Sequence, residues 1–288
     1  LFTGFEELII EKMIAQTLLH WYDANKRDLP WRHTRDPYKI WLSEIILQQT
    51  RVDQGLPYYQ AFVQKYKNVC ALAAAPEDEV LKTWQGLGYY SRARNLHHTA
   101  RQVCTEHAGK FPQTYKELLG LKGVGPYTAA AISSFAFGQA QPVVDGNVFR
   151  VISRLYALDV PIDHSSARSI FEQYAAGLME QADPADFNQA IMEFGALQCV
   201  PVAPDCHRCV LADPCLAFRE GRVPAFPVKG KKQQVKTVYF NFLHFQKEKS
   251  TFLEKRTEAG IWKNMYQFPL VESEKIWILK NTWLPGWD

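Results

Sequence analysis

Leu121-Lys122-Gly123-Val124-Gly125-Pro126-Tyr127-Thr128 joins two segments whose apolar residues recur at helical spacing. Its glycines permit positive φ and the close approach of another backbone, and Pro126 starts the next helix with its φ already set. Such a turn leaves backbone N–H groups pointing outward at a helix start, where a phosphate can be held without any side chain. The same residues also serve a plain tight connection between helices, so the surrounding sequence has to decide.

Downstream, Val143-Val144-Asp145-Gly146-Asn147-Val148 leads into another helical stretch. Asp145 suits the N-cap of that helix, where its side chain would accept from the first free N–H groups. The helix dipole favours the ionised carboxylate there, the form that a cation-stabilising residue needs. Upstream, Tyr38–Thr50 reads as a helix on which Glu44 shares a face with Ile40, Trp41 and Leu47. Burying that stripe buries the carboxyl, and burial raises its pKa. A glutamate so placed can give up and recover a proton near neutral pH. The alternative is a structural glutamate paired with a cation.

Further helices are expected at Tyr58–Lys67, Asp78–Gln85, Ser91–Glu106, Tyr127–Phe137, Val148–Tyr156, Ala167–Met179 and Ala185–Leu197. Phe5, Leu8, Ile9 and Met13 form an apolar stripe near the start. Past Arg222, Pro224, Pro227 and the Lys231-Lys232 pair read as a linker, and strands are expected at Val238–Phe245, Thr251–Lys255 and Tyr266–Val271. The expected fold is mainly α, followed by a smaller module with β content. With 288 residues, 47% of them hydrophobic, the chain can bury enough core for two domains. No apolar run reaches the ~18 residues of a membrane span and no signal-peptide pattern opens the chain, so a soluble intracellular protein is expected. The chain begins at Leu1 without a methionine, which suggests a fragment. A net charge of +3 does not by itself imply nucleic acid, but Arg219 to Lys236 holds six basic residues against Glu220 alone. That stretch can lie along a phosphate backbone or serve as a solvated linker.

Cys199, Cys206, Cys209 and Cys215 follow the spacing C-x6-C-x2-C-x5-C. Thiolates brought this close need a soft metal centre. Zinc sites usually pair their cysteines as two short knuckles, whereas one x2 pair flanked by longer arms suits the four corners of a [4Fe-4S] cubane. Disulfides are the remaining reading, and such close clustering speaks against them. Cys70 and Cys104 fall in apolar helical stretches and are expected to be ordinary core thiols.

Three more segments complete the pattern: Leu29-Pro30-Trp31-Arg32, Trp41-Leu42-Ser43-Glu44-Ile45-Ile46-Leu47-Gln48-Gln49-Thr50 and Gly86-Leu87-Gly88-Tyr89-Tyr90. With the Gly-rich turn, the Asp145 segment and the cysteine quartet, they resemble the MutY-type adenine DNA glycosylases of the helix-hairpin-helix superfamily, from about Phe5 to Cys215. The resemblance implies a helix-hairpin-helix glycosylase body of two helical lobes over residues 1–222, with an iron-sulfur cluster loop at 199–215. A basic linker at 223–236 and a partial Nudix-like α+β module at 237–288 would follow. For that module the likeness rests on Leu253-Glu254-Lys255-Arg256-Thr257 and on Gly260-Ile261-Trp262-Lys263-Asn264-Met265-Tyr266-Gln267-Phe268-Pro269, which resemble the opening of the domain that reads 8-oxoguanine.

The implied activity is base excision repair: removal of adenine mispaired with 8-oxoguanine or guanine in double-stranded DNA, from a base flipped out of the stack. Glu44 matches the general acid that protonates adenine at N7, and Asp145 the carboxylate that faces the cation at C1′. Arg32, Leu87 and Gln189 match positions lining the adenine pocket, and Asn147 a polar partner of the centre. Gln49 and Tyr89 match residues inserted into the duplex, with Thr50 beside them, and Lys122, Gly123 and Gly125 would hold phosphate. Where Tyr127 stands, endonuclease III-like relatives carry a Schiff-base lysine, so a monofunctional enzyme that leaves the strand uncut is implied. The alternatives are an endonuclease III-like glycosylase/lyase and a catalytically silent DNA-binding protein. The cluster is expected to staple a loop that carries His207 and Arg208 rather than to take part in the chemistry. One chain per lesion suffices, so a monomer is expected.

Overall fold

The computed structural model describes residues 4–180, 182–230, 237–258, 262–263, 265–275 and 277, with side chains from Leu8 onward. The Phe5 side chain, Lys231, Lys232, Lys236, Gly260, Ile261, Asn264 and residues 278–288 lie outside the described residues. Two units divide the chain, Leu1–Gly230 and Lys231–Asp288.

The first unit is helical: α1 (Gly4–Asn25), α2 (Pro37–Leu47), α3 (Val52–Lys65), α4 (Val69–Ala74), α5 (Glu77–Trp84), α6 (Tyr90–Glu106) and α7 (Tyr115–Leu118) come first. Then follow α8 (Pro126–Phe137), α9 (Gly146–Leu155), α10 (Ala167–Met179), α11 (Pro184–Leu197) and α12 (Leu216–Arg219). Several starts are written in the sequence. Asp36, Asn68, Asp145 and Asp183 accept hydrogen bonds from N–H groups of their own helices, while Thr114 and Glu117 form a capping box.

Three findings depart from the sequence reading. Helix α3 begins at Val52 and runs through Pro57, where the expected start was Tyr58. Proline removes one backbone donor, and the burial of Gly55, Tyr59 and Phe62 on the same helix outweighs that loss. On α1, Leu8, Ile9 and Met13 are exposed, and the buried face is the neighbouring one of Ile14, Ala15, Leu18 and Tyr22. Helical spacing alone could not choose between two apolar faces. Third, Cys70 and Cys104 are not core thiols: they form a disulfide between the first turn of α4 and the last turns of α6, with Cys70 exposed.

Two cores organise this unit. Helices α2 to α8 enclose Trp41, Phe62, Leu72 and Trp84. Helices α1, α9, α10 and α11 enclose Ile14, Leu18, Phe171, Phe187 and Phe194, with Cys199, Cys209 and Cys215 against the edge. The chain therefore starts in one lobe, builds the other, and returns at Val144. Glu44 comes from the first of these cores and Asp145 from the start of a helix in the second.

The second unit has three antiparallel strand pairs among its described residues: β1 (Tyr239–Phe242) with β6 (Leu270–Ser273), β2 (Gln246–Lys247) with β3 (Ser250–Thr251), and β4 (Glu254–Lys255) with β5 (Tyr266–Gln267). The first expected strand is cut short after Phe242, and Phe240, Phe242, Phe252 and Tyr266 are exposed.

Helix α11 crosses the start of α9 at Gly195. A Cβ there would lie 2.7 Å from Asn147 Cβ and 2.9 Å from the Asn147 carbonyl oxygen. Alanine would gain at most about 1 kcal/mol of helix propensity, but the overlap is with backbone and costs about 3 kcal/mol. Gly195→Ala is expected to lower the melting temperature by several degrees at roughly 2–4 °C per kcal/mol, measured by thermal denaturation; an unchanged or raised midpoint would show that α9 and α11 can separate freely.

Candidate active site

Eight of the residues of α2 are buried, Glu44 among them. Burial raises the Glu44 pKa to about 7, with the Asp145 charge adding to the rise, against a hydrogen bond from the Tyr127 hydroxyl and the charge of Arg32. Tyr127, on the first turn of α8, is pushed well above its ordinary range by burial and by the two carboxylates, so it stays a neutral donor. The expectation of a buried glutamate poised near neutral pH is met by this geometry.

The cation that opposes this rise is otherwise engaged. Arg32 donates through Nη1 to Glu193 Oε1 (2.9 Å) and through Nη2 to Glu193 Oε2 (2.8 Å), and Arg27 grips the same carboxylate through Nε (2.9 Å) and Nη2 (2.6 Å). Burial would raise the Glu193 pKa, but these hydrogen bonds win and hold it at about 2. Gln189 Oε1 accepts from Arg32 Nε (2.9 Å) and Tyr22 Oη (3.4 Å). Because arginine can only donate, the amide oxygen must face it, leaving Gln189 Nε2 as the donor for a ligand.

Asp145 caps α9 as expected. Its Oδ1 accepts from the N–H groups of Asn147 and Val148, each at 2.8 Å, and its Oδ2 from Asn147 Nδ2 at 2.8 Å. The cap does not keep it at its ordinary value, however: burial raises the pKa above 3.8 despite these donors. Asn147 is held in turn by Arg150, whose Nη2 donates to Asn147 Oδ1 (2.8 Å) and to the Gly195 carbonyl (2.7 Å) while Nε reaches the Cys199 carbonyl (2.7 Å). One turn on, Arg154 donates to the Val200 carbonyl (2.8 Å) and to Cys199 Sγ (3.3 Å).

Two cavities meet at the carboxylates. An inner one of about 200 Å³ is lined by Arg32, Thr50, Asn147, Gln189 and Glu193, and an outer cleft of about 630 Å³ by Gln48, Gln49, Tyr89, Phe149 and Arg168. Glu44, Leu47, Tyr127 and Asp145 line both. Leu87 lies in the core and lines neither. Lys122, Gly123 and Gly125 sit on the α7–α8 turn, away from both cavities. Gly123 needs to be glycine, with φ at 75° and a virtual Cβ only 2.7 Å from Asn95 Cβ. Gly125 makes no use of that freedom: at φ −88° it is in ordinary backbone, with nothing within 4 Å of a virtual Cβ.

Sequence reasoning missed Glu193, Arg27, Gln48, Arg92 and Arg150. Glu193 carried the signal that singled out Glu44, a carboxylate amid Ile191, Met192 and Phe194, one turn beyond Gln189.

Cys199, Cys206, Cys209 and Cys215 are free, half-buried, and line one small cavity against Val151, Leu155, Phe194 and Leu211. Among the described residues no three His, Cys, Asp or Glu side chains close on a single ion. Burial raises Cys209 to about 11 and also raises Cys206 and Cys215, so thiolates here need a positive centre between them.

Residues 42–176 match the HhH-GPD superfamily base excision DNA repair protein family. The adenine DNA glycosylase of Buchnera aphidicola subsp. Baizongia pistaciae is 37% identical over 272 residues, covering 92% of this chain and 77% of that protein. The chain belongs to the adenine DNA glycosylase family. The human adenine DNA glycosylase is 45% identical over 210 residues, 70% of this chain and 38% of its own length. A thermostable thymine-DNA glycosylase superposes with a TM-score of 0.69 at 32% identity, over 76% of this chain and all of that one. The helical body is thus shared with a glycosylase named for a different base.

Removing the Glu193 charge would leave Arg27 and Arg32 without their counterion. Glu193→Gln is expected to cost about 3 kcal/mol, read as a lower denaturation midpoint at pH 7. Its folded pKa of about 2 lies below the ordinary 4.5, so its stabilising effect is present above that value and fades as the pH falls toward 2. The gap between wild type and variant should narrow across that window; a gap that stays constant would contradict the pairing.

Proposed function

We propose that this chain is a monofunctional adenine DNA glycosylase, which removes adenine mispaired with 8-oxoguanine or guanine from double-stranded DNA. The observation that carries the reading is the meeting of Glu44 and Asp145, from opposite lobes, at the junction of an inner cavity and an open cleft. A base chemistry confined to the inner cavity requires the target nucleotide to leave the stack, with the duplex in the cleft.

Glu44, half protonated near pH 7, gives its proton to N7 of the flipped adenine. The C1′–N9 bond then breaks, its electron pair going to the protonated base, which leaves as neutral adenine. Positive charge develops at C1′ and the sugar ring oxygen, facing the Asp145 carboxylate. Water adds to C1′, and its proton returns to Glu44. Gln189 Nε2 and the Arg32–Glu193 pair line the inner cavity where the base edge would be read. Tyr127 offers no amine, and Lys122 lines neither cavity, so no Schiff base forms and the strand stays intact.

Cys199, Cys206, Cys209 and Cys215 fit a [4Fe-4S] cluster, which when bound supplies four iron–thiolate bonds that clamp the 199–215 loop. Arg150 and Arg154 tie that loop to the helix that starts at Asp145. The exposed His207 and Arg208 and the basic residues of 223–236 would lie along phosphates. In this reading residues 1–222 form the catalytic body, 237–288 contribute to lesion discrimination, and the protein acts as a monomer inside the cell. Among the described residues no helix is long and apolar enough to cross a membrane.

Adenine release should be seen on A:8-oxoguanine and A:G duplexes and not on thymine glycol, which separates this reading from an endonuclease III-like one. Glu44→Gln and Asp145→Asn are each expected to lower the single-turnover rate by about 10²–10⁴-fold, and full activity in both would overturn the assignment. The rate should fall above about pH 7 as Glu44 loses its proton, and on the acid side above the ordinary aspartate range as Asp145 gains one; the two limbs report the pair together. Borohydride should trap no covalent adduct, and a strong one would show a lyase.

A further inference from the structure

Two short loops border the outer cleft: 48–50 after α2 and 86–89 before α6. Each holds one non-glycine residue at positive φ, Gln49 at 55° and Tyr89 at 45°, the latter beside Gly86 and Gly88, which are also at positive φ. For side chains of this size that conformation costs roughly 1 kcal/mol or more each, so the surroundings must impose it. The Tyr89 side chain is 60% exposed, so little packing around it holds its loop.

The guanidinium of Arg92 reaches both loops. Its Nη1 donates to the carbonyls of Ile45 (3.1 Å), Ile46 (3.0 Å) and Gln48, which are the open end of α2 and the start of the first loop. Its Nη2 donates to the Leu87 carbonyl in the second loop at 3.3 Å, and both nitrogens lie 3.4 Å from Thr50 Oγ1. The group is buried and flanked by the rings of Trp84 and Tyr89, at 5.0 and 5.7 Å. These oxygens are all neutral, so the guanidinium works as a fork between two backbones and as a positive cap on a helix C-terminus. A lysine would keep the charge, but a point charge with three donors cannot span the same set.

We propose that Arg92 is a positioning residue for base extrusion: it clamps the 48–50 and 86–89 loops in register so that Gln49 and Tyr89 enter the duplex together. The proposal rests on the glycosylase reading, since only a base-extruding enzyme has use for the register.

The test uses the full chain, a duplex with 2-aminopurine beside the target adenine, and three readouts: the fluorescence rise on extrusion, single-turnover adenine release, and duplex affinity. Arg92→Lys should slow the first two by about 10²-fold while affinity, held by phosphate contacts, changes little. In a Gln49→Ala/Tyr89→Ala background the same substitution should add little further. An equal slowing in that background, or an unchanged fluorescence phase in the folded single variant, overturns the proposal. If Arg92→Lys does not fold, Thr50→Val decides: it removes one acceptor of the fork without stranding a charge, and should give a smaller slowing that also vanishes in the double-loop background. A Thr50→Val protein with unaltered extrusion overturns the proposal too. Failure of the wild type to release adenine would instead sink the functional reading, and the fluorescence phase would still judge Arg92.

Discussion

The carboxylate of Glu193, held between Arg27 and Arg32, is the interaction on which the site depends. Arg32 lines the same cavity as Glu44 and pulls its pKa down. An uncompensated guanidinium there would pull harder, toward an ionised Glu44. Glu193 absorbs that charge, and the hydrogen bond to Glu44, from Tyr127, comes from a neutral hydroxyl. Burial then decides, and the Glu44 pKa stays near neutrality. The same pairs fasten the chain between α1 and α2 to α11, so one set of contacts fixes both the electrostatics and the floor of the inner cavity.

Asp145 is governed by a different device. Its orientation comes from the backbone of its own helix, and the residue that shares its second oxygen, Asn147, is held by a buried arginine that ends on the cysteine loop. Arg150 and Arg154 are satisfied largely by carbonyl dipoles, which hold them without adding another full negative charge near Asp145. A loop of four cysteines outside both cavities can thereby bear on where the Asp145 carboxylate points.

Much of this was legible in the sequence because the signals are local. Helical spacing, the cap at Asp145, the glycine at 123 and the carboxylate on the apolar face of α2 each depend on neighbours within a turn or two. What escaped was set by long-range contact. Glu193 meets Arg27 and Arg32 across more than 150 residues of chain, Arg92 gathers carbonyls over 40 positions away, and Cys70 finds Cys104 at a separation of 34. The choice of face on α1 failed for the same reason, since only the packed lobe distinguishes Ile14 and Leu18 from Leu8 and Ile9. Even the raised pKa of Asp145 is tertiary: the cap was visible, the burial that overrides it was not.

The Cys70–Cys104 bond has a topological consequence. It closes residues 70–104 into a covalent ring that contains α5, the loop with Tyr89, and Arg92. A single backbone scission anywhere within that ring leaves both pieces joined through sulfur. A protease that nicks the exposed loop at Tyr89 would therefore yield a chain that migrates as one species until a reductant parts it into two.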